Sequence, residues 1–238
     1  MCIRDRIGSA SVNESIDALK ELTVILLEKR AKRNALEIES SEPILKINNL
    51  GEVEAINLSR RMFAHQMIEE AMIAANICAI MFVKRSSELS INRFHDKPDT
   101  DKLLALFEKF QSFGLRKSDD PIILLQRCIE IAKRSENATS LQSLILQGLP
   151  RAIYSSKKSG HFGLQLEEYS HFTSPIRRYP DLVIHRLIKS ILKREKVYFD
   201  EEAFEEECGN LSELEKSCLL YTSPSPRDDA TSRMPSSA

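Results

Sequence analysis

The 238-residue chain carries 34 Lys and Arg against 35 Asp and Glu, a net charge of −1 at pH 7 with histidine neutral. That balance excludes a polyanion partner held by overall charge, so any nucleic-acid contact has to come from a local patch. Five cysteines without CxxC spacing or a matching histidine pair exclude a zinc ribbon and a disulfide framework, and fit reduced thiols in a cytoplasmic protein.

The two ends differ in composition from the rest of the chain. "MCIRDR" (1–6) is unlike a helix or strand start, and 218–238 switch to Ser, Pro, Thr and Arg with no periodic apolar face. The expectation is a non-native leader at 1–6, a folded part at 7–217, and a non-native, disordered tail at 218–238. No apolar run is read as reaching the roughly 18 residues of a membrane span, and no membrane partner is expected.

Ser11-x-x-Glu14 has the spacing of a capping box, and Ile16, Leu19, Leu22, Ile25 and Leu26 follow at helical intervals, which predicts a helix ending in "KRAKR" (29–33). That basic end suits the negative pole of a helix and is read as a solvated cluster. "ALEIES", "ILKIN" and "EVEAI" predict a small antiparallel β meander. A helix over 59–85 follows, apolar nearly all round in its second half and therefore buried on several sides. Glu69 and Glu70 sit in it among Met67, Ile68, Met72 and Ile73, either on one wet stripe, which periodicity favours, or lining a polar cavity whose wall Asn76 can join.

The stretch 91–102 reads as a loop. Its Asp96, Asp99 and Asp101 lack the glycine and terminal glutamate of a calcium loop, and Asp99-Thr100 is placed to cap the next helix. Asp120-Pro121 opens another helix, and Thr139 caps one through "SLQSLILQGLPRAIYS". In the last helical pattern Thr173 or Ser174 is the N-cap and Pro175 the first helical residue, so Arg177 and Arg178 fall in the first turn. The fold class is thus α+β, mostly α-helical, with the small meander and about six helices.

Two arginines at the positive end of a helix dipole cost about 0.3 to 1 kcal/mol each unless something offsets them. A phosphate does so, matched by backbone N–H groups, the Thr173 and Ser174 hydroxyls and a guanidinium fork, with His161, Tyr169, His171 and Tyr179 placed to stack on or bond to nucleotides. The alternative is a structural network with Glu167, Glu168 or Asp181.

"HFGL" (161–164) with "YSHFTSPIRRYPDLVIHR" (169–186) resembles the signature of the ribonuclease II / ribonuclease R family, whose RNB domain is a 3′ to 5′ exoribonuclease. "IEEAMIAANICA" and "INRFHDKPD" resemble the family's buried helix and the loop after it, and "KRNALEIESSEP" its preceding strand region. The resemblance implies that 7–217 are the C-terminal portion of an RNB domain. It implies a catalytic role for Arg177 at the phosphate near the scissile bond, and a place for Glu69 beside the last 3′ nucleotide. Asn76, Tyr169, His171, Thr173, Ser174, Arg178 and Tyr179 complete the RNA-binding set. Ile38 stands where some members carry a stacking aromatic.

The implied reaction is processive hydrolysis of single-stranded RNA from its 3′ end to nucleoside 5′-monophosphates, with Mg²⁺, in a monomeric parent needing no protein partner. The family's aspartate cluster, roughly D-x(5)-D-x-D-D, does not occur in this sequence, nor do cold-shock or S1 domains, so no residue is assigned to a metal. The expectation is a fragment of such an enzyme with little activity alone. The alternative is a non-catalytic helical RNA-binding or adaptor module.

Overall fold

In a computed structural model, residues 10–38, 43–48, 53–58, 62–87, 89–195 and 200–222 are described. Helix α1 covers Ala10–Lys32, so Ser11 lies within the helix and not at its cap. Strands β1 (Pro43–Ile47) and β2 (Val53–Leu58) pair antiparallel, Pro43 opposite Leu58. The third run of the expected meander does not join them where it is described. Residues 35–38 form no strand, and Leu36 instead donates its N–H to the Gly163 carbonyl at 2.8 Å and buries its side chain in a helical core.

Helix α2 (Phe63–Ser86) is the spine of the molecule. It is long and apolar enough, by length and composition, to cross a membrane, which corrects the reading that no such run exists. Seven of its residues, Met67, Glu70, Ile73, Asn76, Ala79, Ile80 and Val83, are buried along the side turned to the rest of the protein. A buried glutamate and asparagine in that row mark a polar seam, and both find partners, as burial in an apolar surround demands.

Helices α3 (Thr100–Gln111), α4 (Pro121–Arg134) and α5 (Ala138–Gly148) form one core around Phe110, Leu125, Cys128 and Ile145. Asp120 caps α4 as its sequence requires, its carboxylate accepting from Ile122 N–H at 2.8 Å, with Pro121 at the first helical position. Asp99 is the N-cap of α3 by position, without a side-chain cap bond, and α5 begins at Ala138 with Asn137, not Thr139, as its N-cap.

Two segments differ from expectation in kind. Strand β3 (Asn92–Phe94) lies in the stretch read as a loop and pairs antiparallel with β4 (Ile153–Ser155), read as the end of a helix. Pro150 lies just past the end of α5, and three-residue strands are too short to show a period of two. A seventh α-helix, α7, covers Glu201–Thr222 and runs past Ser217; Phe204, Cys208 and Leu211 are its apolar stripe. It packs with α2, β4 and α6 (Tyr179–Lys193) into a second core around Ile80, Val83, Ile91, Ile184 and Leu187. Cys78, Cys128 and Cys208 are free thiols.

Candidate nucleic-acid interface

The conspicuous segment 169–181 crosses the second core and ends in a turn. Helix α6 does not begin at Pro175. Pro175 to Arg177 form a separate turn, closed by Arg177 and Arg178 N–H donating to the Ser174 carbonyl at 3.3 and 3.1 Å, and α6 starts at Tyr179 with Arg178 as its N-cap. Both prolines are compatible with a helix start; Pro180 occupies the first turn of α6, where its missing N–H costs nothing. The carboxylate of Asp181, fully buried, fixes this arrangement. Its Oδ1 accepts from Ser174 N–H at 2.8 Å and from Arg178 Nη2 at 2.8 Å, and its Oδ2 accepts from Arg178 Nε at 2.9 Å.

The two arginines therefore have different situations. Arg178 closes a bidentate fork on Asp181, with its side chain 20% exposed. Arg177 is exposed, and its guanidinium has no ion pair or hydrogen bond among the described residues. Beside it, Thr173 Oγ1 is buried without a hydrogen-bond partner, and Tyr179 is 44% exposed. A free guanidinium, an unpartnered hydroxyl and an open aromatic face within seven residues can receive a phosphate and a base.

The segment leading to the turn is held from behind. Asn76 of α2 donates from Nδ2 to the Tyr169 hydroxyl at 3.0 Å and accepts Phe172 N–H on Oδ1 at 2.9 Å, so one buried side chain ties both ends of 169–172 to the spine. His171 Nδ1 lies 3.0 Å from the Tyr154 hydroxyl, and Arg93 stacks its guanidinium 4.5 Å over the Tyr154 ring while forking onto Glu215 at 2.6 and 3.0 Å. Burial pushes His171 and His161 down to about 3, helped at His171 by Arg178, Arg93 and Arg177 and at His161 by His95 and Arg93, so both imidazoles are neutral at pH 7. Tyr169 and His171 are thus interior props, with Tyr169 only 7% exposed, and Tyr179 is the aromatic that faces outward.

Of the glutamate pair, Glu70 is the buried one, at 2% exposure, and Glu69 is half-buried. Arg30, from the basic cluster read as solvated, reaches across from α1 and places Nη1 2.9 Å from Glu69 and 2.6 Å from Glu70. Burial alone lowers an arginine pKa, but the two carboxylates outweigh it and hold Arg30 above its ordinary value. Nothing in the local pattern of α1 distinguishes Arg30 from Lys29 or Lys32; a charge needed at position 70 was the available signal. Glu69 lies about two turns N-terminal of Asn76, about 10 Å along α2.

Among the described residues no group of three or more His, Cys, Asp or Glu is placed to hold a metal ion. The buried carboxylates Glu70 and Asp181 are each engaged by an arginine, so the described residues do not fit the magnesium that the resemblance implies.

A mostly helical α+β chain with two small antiparallel sheets and an arginine turn pinned to a buried helix defines the class, and comparison with known proteins agrees with it. The model of the RNB domain family matches residues 4–194, and the chain belongs to that family. It is 37% identical over 191 residues to ribonuclease R of Escherichia coli, covering 79% of this chain and 23% of that protein. To ribonuclease R of Thermotoga maritima it is 37% identical over 202 residues, covering 83% and 28%. It therefore spans about a quarter of the length of these relatives. Among solved structures, Mycoplasma genitalium RNase R in complex with ribose methylated single-stranded RNA superposes with a TM-score of 0.74 at 24% identity, over 87% of this chain and 33% of that one. Yeast Ssd1, a pseudonuclease, gives 0.55 at 24% identity over 65% and 20%. At that identity the structures establish the shared fold.

Proposed function

We propose that this chain supplies the RNA-holding part of a 3′ to 5′ exoribonuclease, and that Arg177 is the residue that grips the phosphate at the reacting end. The observation that carries the reading is the contrast within one dipeptide: Arg178 is locked onto buried Asp181, and Arg177 is left free and exposed on the turn so fixed. A planar guanidinium meets two phosphate oxygens at once, and the unpartnered Thr173 hydroxyl adds a donor. As negative charge builds on the non-bridging oxygens during phosphodiester cleavage, a donor already fixed in place stabilises it without reorganisation. Tyr179 offers a stacking face to the adjoining base, and Arg178, Ser174, Asn76, Tyr169 and His171 act through the shape of the turn. Glu69, on the seam with Arg30, lines the 3′-terminal nucleotide in this reading.

Hydrolysis to nucleoside 5′-monophosphates with magnesium, processivity, a monomeric state and a cytoplasmic location belong to the same proposal for the parent protein, as does low activity of this chain alone. The test uses the 238-residue chain and a fluorescein-labelled single-stranded RNA 12-mer. Binding that weakens as salt is raised, and that Arg177→Ala weakens about tenfold or more, supports the reading. RNA affinity equal in Arg177→Ala and wild type overturns it, as does robust magnesium-dependent hydrolysis by this chain that survives Arg177→Ala. Salt-dependent binding by a longer reading frame that never hydrolyses RNA favours the non-catalytic RNA-binding module instead.

A further inference from the structure

Helices α6 and α7 do not close on each other along their whole length. Between them lies a cleft of about 160 Å³, walled by Val183, Leu187 and Phe204, with Tyr179 also in its lining. Its walls are mostly apolar, and its polar groups stand apart: Arg186 and Ser190 on the α6 side, and Glu207 on the α7 side. Apolar walls with a few separated donors and acceptors are the usual make-up of a small-molecule site. The size is selective, since an apolar cavity of about 150 Å³ accepts benzene. The cleft holds one flat ring system and not a whole nucleotide.

The exposed residues of its lining, Tyr179, Arg186 and Glu207, say which ring system. Tyr179 is 44% exposed and is the second residue after Arg177, and the Arg186 guanidinium lies 6.0 Å over its ring. Arg186 has no ion pair among the described residues. One cation lies over the aromatic ring and a second sits two residues before it in the chain, a set that suits a base stacked on tyrosine and arginine planes with its phosphates nearby. Glu207, across the cleft, is an acceptor for an exocyclic amino group and disfavours a phosphate entering the cleft itself.

We infer that the α6–α7 cleft is a nucleobase pocket that takes one unpaired base of RNA whose backbone is held at the Arg177 turn. The inference rests on the phosphate reading of that turn, and the experiment separates the two. Affinities of the 238-residue chain are measured by fluorescence anisotropy for labelled oligoadenylate and for the same length of uniformly abasic ribose phosphate. Wild type binds the abasic strand about tenfold more weakly, the contribution of one stacked base. Tyr179→Ala binds both strands equally. Ser190→Phe, whose ring fills the cleft, loses about tenfold on oligoadenylate and does not discriminate between the strands. Equal wild-type affinities for the two strands, or discrimination that persists in Tyr179→Ala and Ser190→Phe, overturn the pocket while leaving salt-dependent phosphate binding in place. A chain that binds neither strand overturns both readings.

Discussion

Changing Asp181 to alanine removes the acceptor that holds the arginine turn, and the structure sets the size of the effect. The carboxylate is 0% exposed and accepts three hydrogen bonds, two from Arg178 and one from Ser174 N–H. Without it, a guanidinium whose side chain is only 20% exposed and a backbone donor are left unpaired. Breaking a buried ion pair from one side costs about 3 to 5 kcal/mol, and partial access of water to Arg178 places Asp181→Ala near the lower end. Arg178→Met leaves the carboxylate itself buried and unpaired and falls higher in the same range. Against a total stability of about 5 to 15 kcal/mol either loss is large. Urea unfolding at pH 7 followed by circular dichroism reads it as a fall in midpoint of about 1 M or more, with an unchanged slope. The double variant Asp181→Leu/Arg178→Met, which removes both charges, recovers most of the loss. Both single variants within about 0.5 kcal/mol of wild type, the ordinary range for surface changes, refute the buried lock.

The Arg30 bridge gives a parallel case: Arg30→Ala strands Glu70, whose side chain is 3% exposed, and lowers stability by about 3 kcal/mol or more, while exposed Lys29→Ala in the same cluster changes it by less than about 0.5; equal effects in urea unfolding contradict the bridge. His161 and His171 titrate near 3 in the folded chain and near 6.5 unfolded, so the unfolded state binds more protons below pH 6.5. The stability they confer is complete above that pH and declines as pH falls toward 3, by up to about 1.4 kcal/mol per unit for each histidine. Urea midpoints that fall between pH 7.5 and 5, and fall less in His171→Gln, are expected; a midpoint constant across that window counts against neutral, buried imidazoles. Helix α1 exposes Leu22, Val24 and Ile25, and α2 exposes Ile68, Met81 and Phe82, so the chain self-associates at micromolar concentration; sedimentation velocity showing a clean monomer refutes this.

Local signals carried much of the fold. Asp120-Pro121 reads as a helix start because the cap and the proline act within three residues, and α2 reads as buried because its apolar residues go round the helix. What escaped depends on partners far along the chain. Strand β3 exists because β4, some sixty residues later, pairs with it, and the register of α6 is set by Asp181 reaching back to Ser174. The arginine pair was legible as a phosphate site with a structural alternative. Arg178 takes up the structural alternative with Asp181, and Arg177 is exposed without an ion pair among the described residues, the observation on which its proposed phosphate contact rests. Asn76 was legible as a polar position on a buried helix, but its bonds to Tyr169 and Phe172 were not, since they span more than ninety residues.

The central claim is that Arg177, and not its locked neighbour, meets an RNA phosphate. It is tested most directly by measuring single-stranded RNA affinity of wild type and Arg177→Ala across a series of salt concentrations. Each neutralised phosphate contributes about −0.7 to the slope of log K against log salt concentration for a single strand. Arg177→Ala is predicted to bind more weakly at every salt concentration with a slope shallower by about 0.7, while its urea midpoint stays within about 0.5 kcal/mol of wild type. An unchanged slope with unchanged affinity contradicts the account.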